Sequence, residues 1–230
     1  MNTTTTTAEN FVLNNFTAVD FLTNENRTIL LDGVSWNEYE MFLEDFEKRP
    51  GWRLAYDGGK LEIMPPLMEH ETPTISADMP IRAFCEHFDL TLESAGSTTF
   101  RRELKKKGVE PDDCFYIQSA DKVIGKVKLL DPKNYPAPDI AFEVDITHGS
   151  LDKFPIYAAL EVAEVWIYDG EAVRFYELKA ENYHQISHSR ALPLLSAEKL
   201  TEFLGMSRTM GQTSALKNFR AWLREQNKNV

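Results

Sequence analysis

The chain has 230 residues, a formal net charge of −11, 43% hydrophobic residues and 27% charged residues. This length suits one well-buried domain with appendages, and the composition argues against a disordered or fibrous protein. The negative charge argues against indiscriminate binding to nucleic acids, because that affinity comes mainly from Lys and Arg side chains that neutralise phosphates. A local basic patch is still compatible with this net negative charge.

No apolar run approaches the roughly 20 residues that a membrane helix requires, and the opening MNTTTTTAEN lacks the basic and apolar regions of a signal peptide. We therefore expect a soluble, cytoplasmic protein with no membrane partner. Cys85 and Cys114 lie far apart in sequence, in apolar surroundings and without CxxC spacing. This pattern favours reduced, buried thiols over a disulfide or a zinc site.

The first part of the chain predicts an arm, a helix and a hairpin. Residues 1–30 are rich in Thr and Asn, which indicates an arm that is loosely ordered or packs on a partner subunit. SWNEYEMFLEDFEKRPG combines a capping box at Ser35 and Glu38 with apolar residues at helical spacing, and Pro50 and Gly51 end this helix. WRLAYDGGKLEIMPP alternates on both sides of an Asp-Gly-Gly turn and predicts a β-hairpin.

The next part predicts a second helix, from about residue 72 to residue 88, which Pro80 would begin or kink. His70 precedes this helix, and a lone histidine in a loop is more often a surface or turn residue than part of a site. LTLESAGSTTF is strand-like. RRELKKKG, from Arg101 to Gly108, and the tail from Met206 onward are locally basic, and we interpret them as a solvated loop and a solvated helix face.

The last part predicts a helix in SLDKFPIYAALEVA, with Ser150 as a candidate cap, and a hairpin in EVWIYDGEAVRFYELK. SAEKLTEFLG and TSALKNFRAWLREQ predict two short amphipathic helices, the first with Gly205 just past its end. Together the elements indicate an α/β (α+β) fold in which helices flank a mixed β-sheet. We expect an arm at 1–30, one domain at 31–205 and a C-terminal amphipathic helix at 206–230.

The stretch APDIAFEVDITHGSLDK is patterned as a core strand, yet it carries three carboxylates at odd-numbered positions. Side chains of a strand alternate between its two faces, so these carboxylates share one face. That face holds Asp139, Ala141, Glu143 and Asp145, and the other holds Ile140, Phe142, Val144 and Ile146. Alternation alone favours a strand with one face in water. Glu143 and Asp145 would lie about 6.6 Å apart along the strand, near enough for one cation to bridge them.

Two neighbouring features favour a metal site instead. EPDDCFYI places Asp112 and Asp113 at the start of a second hydrophobic strand, which could lie beside the first. Lys153 follows Glu143 by ten residues, at the start of the next helix. Carboxylates suit Mg²⁺, and a lysine near the metal orients the attacking water or stabilises developing negative charge. His148 either caps that helix or approaches the carboxylates.

These segments resemble a known family. The proline-aspartate that opens one strand, the glutamate near the end of the next, and the helix and EVWIYDG strand that follow are similar to the Uma-two family of restriction-endonuclease-like proteins. The likeness runs from about Val34 to Leu204 and includes the first hairpin and His70. This family belongs to the PD-(D/E)xK nuclease superfamily. The resemblance therefore implies a restriction-endonuclease-like fold, Mg²⁺ or Mn²⁺ as the cofactor, DNA as a partner and a homodimer.

The resemblance also implies roles for individual residues. Asp112 corresponds to the metal-binding aspartate, and Glu143 to the acidic residue of the (D/E)xK element. Asp145 occupies the third position of that element, where the superfamily pattern has lysine. The superfamily lysine can lie on the following helix, where Lys153 is the candidate. Asp145 would then be an additional metal ligand or a hydrogen-bond partner of Lys153.

Three functions stay open at this point. The leading hypothesis is a metal-dependent endonuclease that hydrolyses DNA phosphodiester bonds. The second is a catalytically weak module of the same fold that binds nucleic acid or a protein partner, which the acidic net charge and Asp145 favour. The third is a metal-dependent hydrolase of a small phosphorylated molecule, which would keep the site without the DNA.

Overall fold

The computed structural model describes residues 28–49, 51–131, 133–146 and 151–226, except for the side chain of residue 127. These residues form five α-helices and eleven β-strands. The helices are α1 (Trp36–Phe46), α2 (Met68–His87), α3 (Phe154–Ala159), α4 (Ala197–Met210) and α5 (Gln212–Gln226). The strands are β1 (Ile29–Leu31), β2 (Arg53–Asp57), β3 (Lys60–Met64), β4 (Glu93–Ser94), β5 (Phe100–Arg102), β6 (Lys107–Val109), β7 (Asp113–Tyr116), β8 (Ile140–Val144), β9 (Glu164–Tyr168), β10 (Val173–Lys179) and β11 (Asn182–Ile186). Most of the predicted arm, Pro50, His148 and Ser150 lie outside the described residues.

The strands form two sheets. One has five strands in the order β1-β3-β2-β6-β5, and all of its pairs are antiparallel. The other has six strands in the order β11-β10-β9-β8-β7-β4. In this second sheet β8 and β9 pair in parallel, since α3 carries the chain back between them, and the other pairs are antiparallel. The predicted mixed α/β fold is confirmed.

Helix α1 begins at the predicted capping box. The backbone N–H of Ser35 donates to the Glu38 carboxylate at 2.7 Å, and the backbone N–H of Glu38 donates to the Ser35 hydroxyl at 3.3 Å. The helix buries its aromatic face against the first sheet, where the rings of Tyr39 and Tyr56 stack with centroids 4.7 Å apart. The first hairpin is also confirmed, as β2 and β3 pair in register across their turn.

Helix α2 is longer than the sequence predicts. It begins at Met68 rather than near residue 72, and it contains both Pro73 and Pro80. Each proline removes a backbone hydrogen bond, a cost of about 3 kcal/mol within a helix. The buried face of α2, which includes Ile81 and Phe84, packs into the core of the second sheet, and this burial offsets the loss.

The C-terminal helices pack against α2 and the second sheet. Helix α4 continues through Gly205 to Met210, so the helix end predicted at Gly205 is wrong, and the predicted domain boundary falls within this helix. The helix instead ends at Gly211, whose φ of 85° is the conformation that glycine adopts most readily. Buried residues of α5, including Phe219, join the same core.

The two cysteines are free, buried thiols, as predicted. Burial raises the pKa of Cys85 to about 11, which keeps it protonated near neutral pH. Among the described residues, no helix has the length and apolar character needed to cross a membrane.

A glycine in β6 allows α1 to sit close to the first sheet. A Cβ added to Gly108 would lie 2.6 Å from Cζ of Tyr39, which is closer than side chains approach. We expect Gly108→Ala to lower the free energy of unfolding by about 1–3 kcal/mol, because Tyr39 is fully buried and the helix must shift. Denaturation in urea measures this change.

Gly205 gives the matched control. A Cβ added there meets nothing within 4 Å, and the residue lies inside α4. Gly205→Ala should therefore raise the free energy of unfolding by about 0.5–1 kcal/mol. Equal stability of Gly108→Ala and the unmodified chain would contradict the proposed contact.

Candidate active site

The pairing of β7 with β8 brings Asp112 to the carboxyl end of β8. The strands are antiparallel with Asp113 opposite Phe142, so the same register carries Asp112 to the level of Glu143, next to Val144. The backbone N–H of Val144 donates to Oδ2 of Asp112 at 2.8 Å, and the aspartate is 7% exposed. The prediction that the two acidic segments lie side by side is confirmed.

Glu143 lies at the centre of the site. Both of its carboxylate oxygens are engaged: Nζ of Lys153 is 2.7 Å from Oε2, and the hydroxyl of Tyr157 donates to Oε1. Burial raises the pKa of Glu143 to about 7, even though Lys153 opposes the shift. Burial alone would lower the pKa of Lys153, but the charges of Glu143, Asp112 and Glu62 outweigh it and raise that pKa. The lysine therefore stays protonated over the whole physiological range.

Lys153 reaches Glu143 from the N-terminal end of α3. This helix begins later than predicted, at Phe154, with Lys153 itself in the capping position and Pro155 in the first turn. Proline is tolerated there because the first backbone N–H groups of a helix have no partner within it. From this position the Lys153 side chain contacts Glu143 at the end of β8.

The odd-numbered carboxylates of β8 do not all belong to the site. Asp145 follows the strand, and its backbone N–H donates to the carbonyl of Tyr168 at 2.8 Å. Its side chain lines the same cavity as Glu143. Asp139 lies at the opposite end of the strand, where its Oδ2 accepts from the backbone N–H groups of Ile117 and Ser119. Its role is to hold a loop in place.

The two acids at the start of β7, Asp112 and Asp113, lie on opposite faces of the sheet. Asp112 approaches the lysine site, whereas Asp113 lies on the other side of the strand and accepts the backbone N–H of Cys114 at 2.8 Å. There it is near Asp78 and Arg82 of α2. Adjacent residues of a strand point to opposite faces, so one of the two acids had to leave the site.

The first hairpin supplies residues that the sequence analysis did not predict for the site. Glu62 of β3 is 1% exposed, and its Oε2 accepts the backbone N–H of Leu151 at 3.0 Å. In β2, Nε of Arg53 lies 3.9 Å from Oδ1 of Asp112. These two polar side chains of the hairpin face the end of β8.

His70 was interpreted as a loop residue, and this interpretation is wrong. It lies in the first turn of α2 and is 5% exposed. Tyr157 was also missed, because its position in an apolar helix is equally typical of core packing. For Tyr157 the useful signal was its spacing, four residues after Lys153, which places both on one face of a helix.

These residues surround a cavity of about 410 Å³, which we call the acidic cavity. Its lining residues are Glu62, Met64, His70, Glu143, Val144, Asp145, Leu151, Asp152, Lys153, Phe154, Tyr157, Val165 and Ile167. Four of the thirteen are acids and one is a lysine, and two of the acids, Glu62 and Glu143, are buried, which is unusual for charged side chains. The structure therefore brings Glu143, Asp145 and Lys153 together on one cavity, with Asp112 close behind.

The carboxylate oxygens of this site are the type of ligand that an oxygen-preferring divalent cation takes. Mg²⁺ is typically held by one or two carboxylates, with water and substrate phosphate completing its shell. Asp112, Glu143 and Asp145 offer such oxygens at one strand end. Within the described ranges, however, no group of three or more His, Cys, Asp and Glu side chains is arranged to hold a metal ion. A cation here would share Glu143 with Lys153 and Tyr157.

The chain is thus an α/β protein with carboxylates and a lysine gathered at one strand end of a mixed sheet. The chain belongs to the Uma2 family, whose model is described as "Putative restriction endonuclease" and matches residues 36–210. The resemblance seen in the sequence is therefore confirmed.

One solved structure to which the chain is similar is described as "a putative nuclease belonging to DUF820 from Anabaena variabilis". It is 16% identical, the match covers 70% of this chain and 98% of that chain, and the TM-score is 0.49. No curated protein matches the chain. The family assignment rests on the family model.

The buried carboxyl of Asp113 should make stability depend on pH. Burial raises its pKa to about 7, with Asp78 adding to the shift and Arg82 opposing it, whereas the ordinary value is 3.8. Between these values the folded chain binds more protons than the unfolded chain, so the Asp113 contribution to stability falls as pH rises. Asp113→Asn removes this contribution and should gain stability relative to the unmodified chain between pH 5 and pH 7, by up to roughly 1.4 kcal/mol per pH unit.

Urea denaturation of both chains at several pH values measures the difference. The Asn side chain keeps an oxygen that can accept the Cys114 N–H. An offset between the two chains that does not change with pH would show that Asp113 titrates normally.

Proposed function

We propose that this protein is a divalent-metal-dependent endonuclease that hydrolyses DNA phosphodiester bonds, with Mg²⁺ or Mn²⁺ as its cofactor. The observation that carries this proposal is the buried contact of Glu143 with Lys153 and Tyr157, beside Asp112, on one cavity. Membership of a family described as "Putative restriction endonuclease" supports the same reaction.

In this proposal Asp112, Glu143 and Asp145 hold the metal. A metal bound there would polarise a phosphoryl oxygen and lower the pKa of a bound water. Lys153 carries the only side-chain positive charge among the described lining residues of the acidic cavity. It orients the attacking water and stabilises the negative charge that develops on the phosphate.

The reaction forms one bond between the water oxygen and phosphorus and breaks one bond between phosphorus and an ester oxygen. Water supplies the proton that the leaving ester oxygen gains. Tyr157 and Lys153 hold the Glu143 carboxylate in one orientation, since each oxygen has its own partner. Such fixed geometry is what proximity effects in catalysis require.

Lys153 carries the function that the superfamily motif gives to the position of Asp145. The distance of 2.7 Å between Nζ of Lys153 and Oε2 of Glu143 supports this assignment. DNA as the partner, a homodimer whose two sites address two strands, and a cytoplasmic location belong to the same proposal. Basic residues at the β5–β6 turn, where Lys105 contacts the end of α3, are candidates for phosphate contacts.

A second candidate function is a catalytically weak module that binds nucleic acid or a protein. The observation that favours it is that Lys153 and Tyr157 already engage both oxygens of Glu143. A metal must compete with these two contacts for the carboxylate.

A plasmid cleavage assay tests the proposal. With Mg²⁺ or Mn²⁺ the unmodified chain should convert supercoiled plasmid to nicked or linear DNA, and EDTA should stop the reaction. We expect Glu143→Gln and Lys153→Met each to reduce the rate by about 100-fold or more, as loss of a charge-stabilising group does in other enzymes. Gel electrophoresis over a time course gives the rates.

The ion pair of Glu177 with Lys179 gives matched control substitutions, because it lies on the same sheet but at a different place. Glu177→Gln and Lys179→Met should cut DNA at the rate of the unmodified chain. If the unmodified chain binds DNA or metal without cutting any of a broad set of substrates, the binding module is the better account.

A further inference from the structure

His70 is a buried histidine in the wall of the acidic cavity. It is 5% exposed, and neither of its ring nitrogens has a hydrogen-bond partner among the residues that the structure describes. A neutral imidazole carries one donor and one acceptor. Leaving such a group buried without a partner is unfavourable, so a native histidine in this position calls for a partner.

The proposed site has few donors to offer an anion. The described lining residues of the acidic cavity include three side chains with an N–H or O–H group: His70, Lys153 and Tyr157. Lys153 and Tyr157 both donate to Glu143. The ammonium of Lys153 has two further N–H groups, whereas His70 is the member of this set that donates to no other described side chain.

The position of His70 at a helix N-terminus also bears on anion binding. The residue lies in the first turn of α2, a helix of 20 residues whose N-terminal end has no side-chain cap. Such an end carries a partial positive charge, which Glu69 and Glu71 reduce, and the backbone N–H groups of His70 and Glu71 donate to the carbonyl of Leu67. Because four acids line the cavity and would repel a phosphate, its favourable side-chain contacts must come from Lys153 and from the ring of His70.

We propose that His70 contacts the substrate: its ring N–H donates a hydrogen bond to a non-bridging oxygen of the DNA phosphate in the acidic cavity. This proposal rests on the proposed function, because it takes a phosphodiester as the ligand. It assigns substrate binding to a residue that is neither part of the (D/E)xK element nor one of the carboxylates expected to hold metal.

The experiment uses nuclear magnetic resonance of the full chain with ¹⁵N-labelled histidine. The probe is thymidine 3′,5′-bisphosphate, added with Ca²⁺ so that no cleavage is required. The ring resonances of His70, assigned by through-bond correlation to its own backbone in the uniformly ¹³C,¹⁵N-labelled unmodified chain, should shift as the bisphosphate is added. Titration calorimetry should show weaker binding to His70→Gln by about tenfold, which corresponds to one hydrogen bond to a charged group.

His87 is the matched control, because Nε2 of His87 is also buried without a partner among the described residues. It lies at the other end of α2, about 25 Å away at 1.5 Å per residue. Its resonances should not shift, and His87→Gln should bind the bisphosphate as the unmodified chain does. Equal shifts at both histidines, or none at His70, would overturn the proposal whether or not His70→Gln folds.

The outcome is separable from that of the cleavage assay. If the unmodified chain cuts no DNA but His70 responds to the bisphosphate, the hydrolytic function fails and the phosphate contact stands. If the unmodified chain cuts DNA and His70→Gln binds and cuts equally well, His70 is a structural residue and the phosphate contact fails.

Discussion

The site depends on one interaction, the buried contact of Glu143 with Lys153. Removing a carboxylate and an ammonium from water costs several kcal/mol for each ion, and their attraction repays this only when the remaining polar atoms are also satisfied. Here Tyr157 supplies the second hydrogen bond to Glu143, while the charges of Asp112 and Glu62 keep Lys153 protonated. The charge of Lys153 therefore interacts with carboxylates from three separate strands, β3, β8 and the start of β7.

Local sequence patterns predicted the individual helices and hairpins better than they predicted how these elements pack against each other. The capping box at Ser35 and both hairpins follow from periodicity and turn residues, which depend on near neighbours. The start of α2 was missed because proline argues against a helix locally, whereas packing across the core decides the matter. The burial of α2 against the second sheet outweighed the local preference of proline against helix.

The candidate site shows the same division. Asp112, Glu143 and Lys153 could be selected because acids in hydrophobic strands and a lysine at the next helix stand out in a sequence. Glu62 and His70 could not, since their importance arises from the first hairpin and α2 meeting the end of β8, and a polar residue in either has an ordinary explanation. Alternation alone also grouped Asp139 with the site, although the strand carries it to the opposite end.

The hydrogen bond from the backbone N–H of Val144 to Asp112 means that the geometry of the site depends on how β7 and β8 are aligned. A slip of one residue between β7 and β8 would turn Glu143 to the other face of the sheet and separate it from Asp112. The apolar residues of β8 fix this alignment, because their burial on both sides of the strand resists any slip. Core residues of β8 thus decide whether the two carboxylates meet, although their own side chains carry no charge.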